Sequence, residues 1–195
     1  LLKNIVRFRF VSYSIHGHIS FDKMVPFPAT HVSPSVMGPF AYFPFLECCH
    51  GILSLDHRSQ GEIKFTNEEN KDDFKKIVFK NGYGYIEKDW GNNFPQSYIW
   101  AQANNFKNEE GSSIFVTDIP LISSDNLLSK IPFLKKSLRF TGRLVIFYHG
   151  STDTTYNFST YTSSLIREFN IEMDNFGMQH INIEFSNVQG FHLKI

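Results

Sequence analysis

The sequence predicts an all-β, antiparallel protein built as a barrel or a sandwich. Three observations predict it. Apolar residues recur with a period of two, turn residues recur between those stretches, and helical periodicity is scarce. Many short strands at this spacing are the pattern of closed or stacked sheets.

The elements follow in chain order. Arg7 to Ser14, Glu47 to Leu55 and Gly61 to Thr66 read as strands. The polar run Asn67 to Lys76 reads as a surface loop or a single helical turn, and Asn81-Gly82 as a turn. Tyr83 to Trp90 reads as a strand, Gly91 to Pro95 as a turn, and Tyr98 to Phe106 as the returning strand of a hairpin. Ser113 to Thr117 and Arg143 to Tyr148 are further strands; the helical candidate Asn126 to Lys136 between them is interrupted by Pro132. His149-Gly150 turns the chain. Leu165 to Met173 and Ile181 to Phe185 alternate, with turns at Asn175 to Gly177 and Gln189-Gly190.

Pro26 to Pro44 stands apart. Five prolines (Pro26, Pro28, Pro34, Pro39, Pro44) exclude a central strand or a helix interior, yet the run is apolar. It must pack on something, either as a lid or plug over a barrel mouth or as a loop wrapped on the outside of a sheet.

Composition narrows the function. With 195 residues the chain can bury a sizeable core as one β-rich region, 1–195. It starts at Leu1 and ends in an apolar run, which reads as part of a longer chain truncated at its N-terminus. Nineteen basic residues balance nineteen acidic ones, so no basic stripe meets phosphates and nucleic acid is not an expected partner. No apolar run reaches the roughly 20 residues of a membrane-spanning helix. The 21 phenylalanines suit a large aromatic core or a cavity for a hydrophobic small molecule. Cys48 and Cys49 are adjacent and point to opposite faces of a strand, so they form no disulfide framework; this fits a reducing, cytoplasmic compartment.

No phosphate-binding glycine loop, GxSxG or HExxH occurs, and the eight histidines do not fall at zinc-ligand spacing, so neither metal nor cofactor is expected. His16 and His18 share a face without a third ligand. The chemistry concentrates in Tyr83 to Phe106. Tyr85, Glu87 and Asp89 share one face of a strand, and Ile86, Lys88 and Trp90 the other. On the next strand Tyr98, Trp100, Gln102, Asn104 and Phe106 share a face. Carboxylates, amides and aromatics together suit a pocket with an apolar body and a few polar anchors. Spacing alone leaves a structural reading open, in which Glu87 pairs with Lys or Arg, Asp89 caps the turn and Trp90 packs in the core. A second polar cluster is Glu47, Cys48, Cys49 and His50, with His50 read as a hydrogen-bonding pocket residue.

Two blocks carry a resemblance. The first comprises Gly38-Pro39-Phe40, Tyr42, Pro44-Phe45, Glu47-Cys48 and His50-Gly51. The second comprises Gly84 to Gly91, Phe94-Pro95, Trp100, Gln102, Asn104 and Phe106. In that order they resemble the tocopherol cyclase family, with Tyr98 departing from the Trp expected in plant members. The resemblance implies a lipocalin-like β-barrel, in two such units for the whole chain. It also implies closure of a prenylated hydroquinone to a chromanol, with peripheral membrane contact to collect the substrate. On that reading Asp89 or Glu87 is the acid, with Asp89 preferred. Trp90, Trp100 and Tyr98 steady a cation, and Gln102, Asn104, His50 and Glu47 line the binding site. The alternative is a lipid-binding calyx with no chemistry.

Overall fold

A computed structural model describes residues 13–44, 46, 48–94, 98–120 and 141–195. The described residues form ten strands and three short 3-10 turns, with every strand pairing antiparallel. The all-β expectation holds. No sheet among the described residues closes on itself: there are three open sheets.

The first sheet has the order β1-β2-β3, with β1 Tyr13–Phe21, β2 Cys48–Asn67 and β3 Phe74–Gly91. The second has the order β4-β5-β6-β7, with β4 Ile99–Ala103, β5 Ser113–Pro120, β6 Thr141–His149 and β7 Thr154–Asn157. The third is β10-β9-β8, from β8 Leu165–Met173, β9 Gln179–Ser186 and β10 His192–Lys194. The first seven strands therefore follow one another as an up-and-down meander, interrupted only between β3 and β4.

Several expectations change. The two strands read at Glu47 to Leu55 and Gly61 to Thr66 are one, β2, of 20 residues. The polar run after it is only a turn, and β3 is already paired at Phe74 with Thr66. Asn81-Gly82 is not a turn. Asn81 takes φ 54° inside β3, where the register against β2 shifts between Ser59 and Gly61. Asn tolerates this left-handed backbone, so the pair serves a bulge as readily as a hairpin. Tyr83 to Phe106 is not a hairpin either: β3 pairs with β2 and β4 with β5. Residues 7–12 of the first expected strand and the candidate at 126–136 lie outside the described residues.

β5 and β6, the centre of the second sheet, are buried on both faces. Phe115, Leu144, Ile146 and Tyr148 pack with Ile52 and Leu55 of the first sheet. Ile114, Val116 and Val145 pack with Phe158 and with Phe185 of the third. Alternate residues thus serve opposite cores, which is why β5 and β6 carry near-continuous apolar runs.

The proline-rich loop supplies part of the first core. Its Val36 and Met37 are almost fully buried there, with Phe27 beside them. Val25 exchanges backbone bonds with Leu55 and Asp56, at 2.7 and 3.1 Å. Gly38 has φ +58°, and a Cβ on it would meet the Tyr161 ring at 2.6 Å. The Tyr161 hydroxyl donates to Val36 O at 3.0 Å. Val36 and Met37 make the loop a packed wedge in the core between the first two sheets, held by that tyrosine, so the loop is not wholly a wrapping on the outside.

Candidate functional site

The site is fixed by register. In β2–β3, His50 lies directly opposite Asp89, Ile52 opposite Glu87, Gly51 opposite Lys88 and Cys49 opposite Trp90. Directly opposed residues hold their Cβ atoms about 5 Å apart. Counted from the Thr66–Phe74 pair, His50 lies sixteen residues back along β2 and Asp89 fifteen residues on along β3. Without the bulges between Ile52 and Gly61, His50 would face Trp90 instead, on the wrong side of the ladder.

On the inner face, the His50 ring sits between two carboxylates. Its Nδ1 is bonded to Asp89 Oδ1, and its Nε2 is 3.5 Å from Glu87 Oε2. That separation is too long for a hydrogen bond of normal quality, and the buried Nε2 has no other partner among the described residues. The ring is stacked on Phe115 with centroids 5.0 Å apart, which ties it to the first core. The His50 N–H donates to Met37 Sδ at 3.0 Å, joining the wedge to the same point. In its doubly protonated form the imidazole directs an N–H at each carboxylate; in the neutral form one nitrogen offers a lone pair.

Glu87 Oε2 accepts from the Tyr85 hydroxyl at 2.7 Å and from Trp100 Nε1 at 3.1 Å. Burial first, then the bond and charge of Glu87, push the Tyr85 phenol well above its ordinary range, so it stays a donor. Asp89 differs. Its side chain is 32% exposed, and among the described residues only His50 bonds it. Cys48 lies two residues before His50 on β2, opposite Gly91. Burial, then Asp89 and Cys49, raise its thiol pKa, which opposes a thiolate nucleophile.

The other expected residues divide between this cluster and elsewhere. Trp100 and Gln102 share the face of β4 that looks toward the first sheet, and Asn104 follows directly after the strand. Trp100 reaches Glu87, while Asn104 donates to Asp56 Oδ1 at 3.1 Å and to Gly84 O at 2.8 Å. Gln102, between them, has a buried amide nitrogen with no partner among the described residues. Tyr98 is 61% exposed. Glu47 lies outside the described residues. Trp90 and Lys88 are on the outer face of β3, away from the carboxylates. They line a cleft of about 430 Å³ closed on its far side by Phe27 and Pro34 of the wedge. The pairing of Glu87 with Lys or Arg, which spacing left open, is not present among the described residues: Glu87 faces His50 instead.

Sequence reasoning missed a second polar cluster, also on β2. Ser54 Oγ lies 2.9 Å from His57 Nδ1 and donates to Asp56 O at 2.9 Å. Ser54, Asp56, His57 and Asn104 are all buried. Burial raises the Asp56 carboxyl pKa; the Arg58 charge and the Asn104 bond oppose it. The run Ser54 to His57 alternates poorly, and that irregularity was the only signal, since bulges there turn successive side chains inward. No group of three metal-ligating side chains comes together among the described residues.

An antiparallel meander with an imidazole set between two carboxylates, beside a tyrosine and a tryptophan, defines a β-protein with a built acid–base cluster. The Tocopherol cyclase-like family model matches residues 11–120, and the chain belongs to that family. It is 33% identical over 82 residues to a probable chloroplastic tocopherol cyclase of Oryza sativa subsp. japonica, covering 42% of this chain and 16% of that protein. It is 34% identical over 77 residues to the chloroplastic tocopherol cyclase of Zea mays, covering 40% and 15%. The chain thus aligns with about a sixth of the length of these curated relatives. No solved structure matches it.

Proposed function

We propose that the protein binds a prenylated quinol or related isoprenoid and closes it to a chromanol by acid catalysis at His50, Asp89 and Glu87. The observation that carries this reading is the His50 ring, buried and bridging two carboxylates with one nitrogen left unpartnered. Such a group can pass a proton from one carboxylate to the other.

The reaction balances without a co-reactant. Asp89, with one oxygen on His50 and the other engaged by no described residue, gives its proton to the prenyl double bond. The tertiary cation that forms is met by the phenol oxygen, and a carbon–oxygen bond closes the ring. The phenolic proton leaves to Glu87, and His50 returns it to Asp89. Trp100, half exposed beside Glu87, offers its ring face to the cation, worth about 1–2 kcal/mol when desolvated. The unpartnered Gln102 amide is a donor for a quinol hydroxyl. A lipocalin-like barrel belongs to the same proposal: β3 and β4 are facing sheet edges, consecutive in the chain, and Trp100 already bridges them.

The test is to supply a prenylated hydroquinone and assay chromanol. General acid–base groups contribute about 100- to 10,000-fold, so Asp89→Asn should lower turnover by at least about 100-fold. Unchanged turnover in that variant removes Asp89 as the acid. One observation favours a second reading, a binding protein without chemistry: the 430 Å³ cleft opens on the face of β3 opposite the carboxylates. An isoprenoid retained through purification, with no turnover, would favour it.

A further inference from the structure

We infer that the outer cleft is a separate site for a mono-anionic amphiphile, a carboxylate on an apolar chain, held by Lys88 above Trp90. This stands independently of cyclisation, because the cleft and the acid–base cluster lie on opposite faces of β3.

Strand alternation puts Gly51, Leu53, Lys88 and Trp90 on the outer face. Gly51 has no side chain, so the Trp90 ring lies against the strand: a Cβ there would stand 3.2 Å from the indole. The ring is a platform, 48% exposed. Phe27 and Pro34 of the wedge form the facing wall and Leu53 part of the floor. The wall does not drift, because Val25 is bonded to β2 on one side and Val36 is buried on the other. At about 430 Å³ the cleft falls inside the roughly 300–1,000 Å³ of small-molecule sites.

Among the described residues Lys88 is the only charged one lining it. Its ammonium is 5.7 Å from the Trp90 ring centroid and takes part in no ion pair among the described residues. The sequence neighbours Glu87 and Asp89 cannot serve it. They alternate to the inner face, where His50, Tyr85 and Trp100 engage them. A cation with no carboxylate partner among the described residues, set on the rim of an apolar cleft, is complementary to an anion with an apolar body. A neutral quinol would leave Lys88 unused. Ser35 adds a second polar group: its Oγ accepts from the Met37 N–H at 3.2 Å, and its own proton is committed to no acceptor among the described residues.

The experiment titrates the protein with dodecanoate and, separately, with dodecanol, following tryptophan fluorescence and heat of binding. Neither compound can cyclise, so the result does not depend on turnover. Dodecanoate should bind at least tenfold more tightly than dodecanol. Lys88→Gln should remove that preference and leave dodecanol affinity unchanged, and Leu53→Trp, which fills the floor, should abolish binding of both. Equal affinities for acid and alcohol, an unaltered preference in Lys88→Gln, or no binding of dodecanoate would each overturn the inference.

Discussion

Two histidines on β2, seven residues apart, sit in contrasting surroundings. His57 belongs to a closed network. Ser54, Asp56 and Asn104 around it are buried and bonded, and its ring lies over Gly84, where a Cβ would come within 2.1 Å of Nε2. His50 belongs to an open one. Its carboxylates are partly exposed, and its inner nitrogen is unpartnered. The residue types are nearly the same: His with Asp and a hydrogen-bonding neighbour. Satisfaction and access separate them. A complete, buried network rigidifies; an incomplete one beside solvent can exchange protons.

The comparison breaks most sharply at Gly84. Gly84→Ala puts a methyl group into the His57 ring, which has no room to swing, and should cost about 3 kcal/mol in denaturant unfolding. Asn104→Ala comes next. It strips the buried Asp56 carboxylate of its side-chain donor and should cost about 2 kcal/mol, with the same measurement deciding. If the His57 network is structural, both variants lose stability in proportion to any activity they lose.

The open cluster should respond in the opposite sense. Asp89→Asn keeps an acceptor for His50 and removes a partly exposed charge. Its cost in stability should be under about 1 kcal/mol while turnover collapses. A large loss of stability would make the cluster another structural network.

The smallest effect is a pH dependence. Burial raises the pKa of folded Asp56, so the native state holds that proton more tightly than the unfolded chain. The contribution is unfavourable above that raised pKa. As pH rises from the ordinary aspartate range, about 4, through the raised value, stability is lost. Asp56→Asn keeps an oxygen for Asn104 and removes the titration. The variant should match the wild type at low pH and gain on it toward neutrality, as read by unfolding curves across pH. A wild-type curve that rises over that window relative to the variant would contradict the assignment.

How much of this was legible in the sequence depends on what each element needed. β8 and β9 were readable because alternation is local. β5 and β6 were readable as strands, but an apolar run does not reveal that its alternate residues serve two cores. The false hairpin at Tyr83 to Phe106 shows the limit of turn residues. Gly91 to Pro95 reads as a turn, yet nothing in those residues says whether the strands on either side pair. Glu87 and Asp89 were found as candidates because carboxylates stand out among aromatics. Their partner His50 was placed nearby only in sequence blocks, because the pairing depends on a one-residue offset from bulges in β2. The Asn81-Gly82 signal was real chemistry, a left-handed residue followed by a glycine, used for a bulge within β3.

The central claim is that His50 and its two carboxylates move a proton to and from the substrate. It is tested most directly by running the prenylated hydroquinone reaction in D2O and weighing the chromanol. Proton delivery to the double bond predicts one non-exchangeable deuterium per product molecule, with the labelled product falling at least about 100-fold in Asp89→Asn. Labelled chromanol formed equally well by Asp89→Asn, or no chromanol from the unaltered protein, would contradict it.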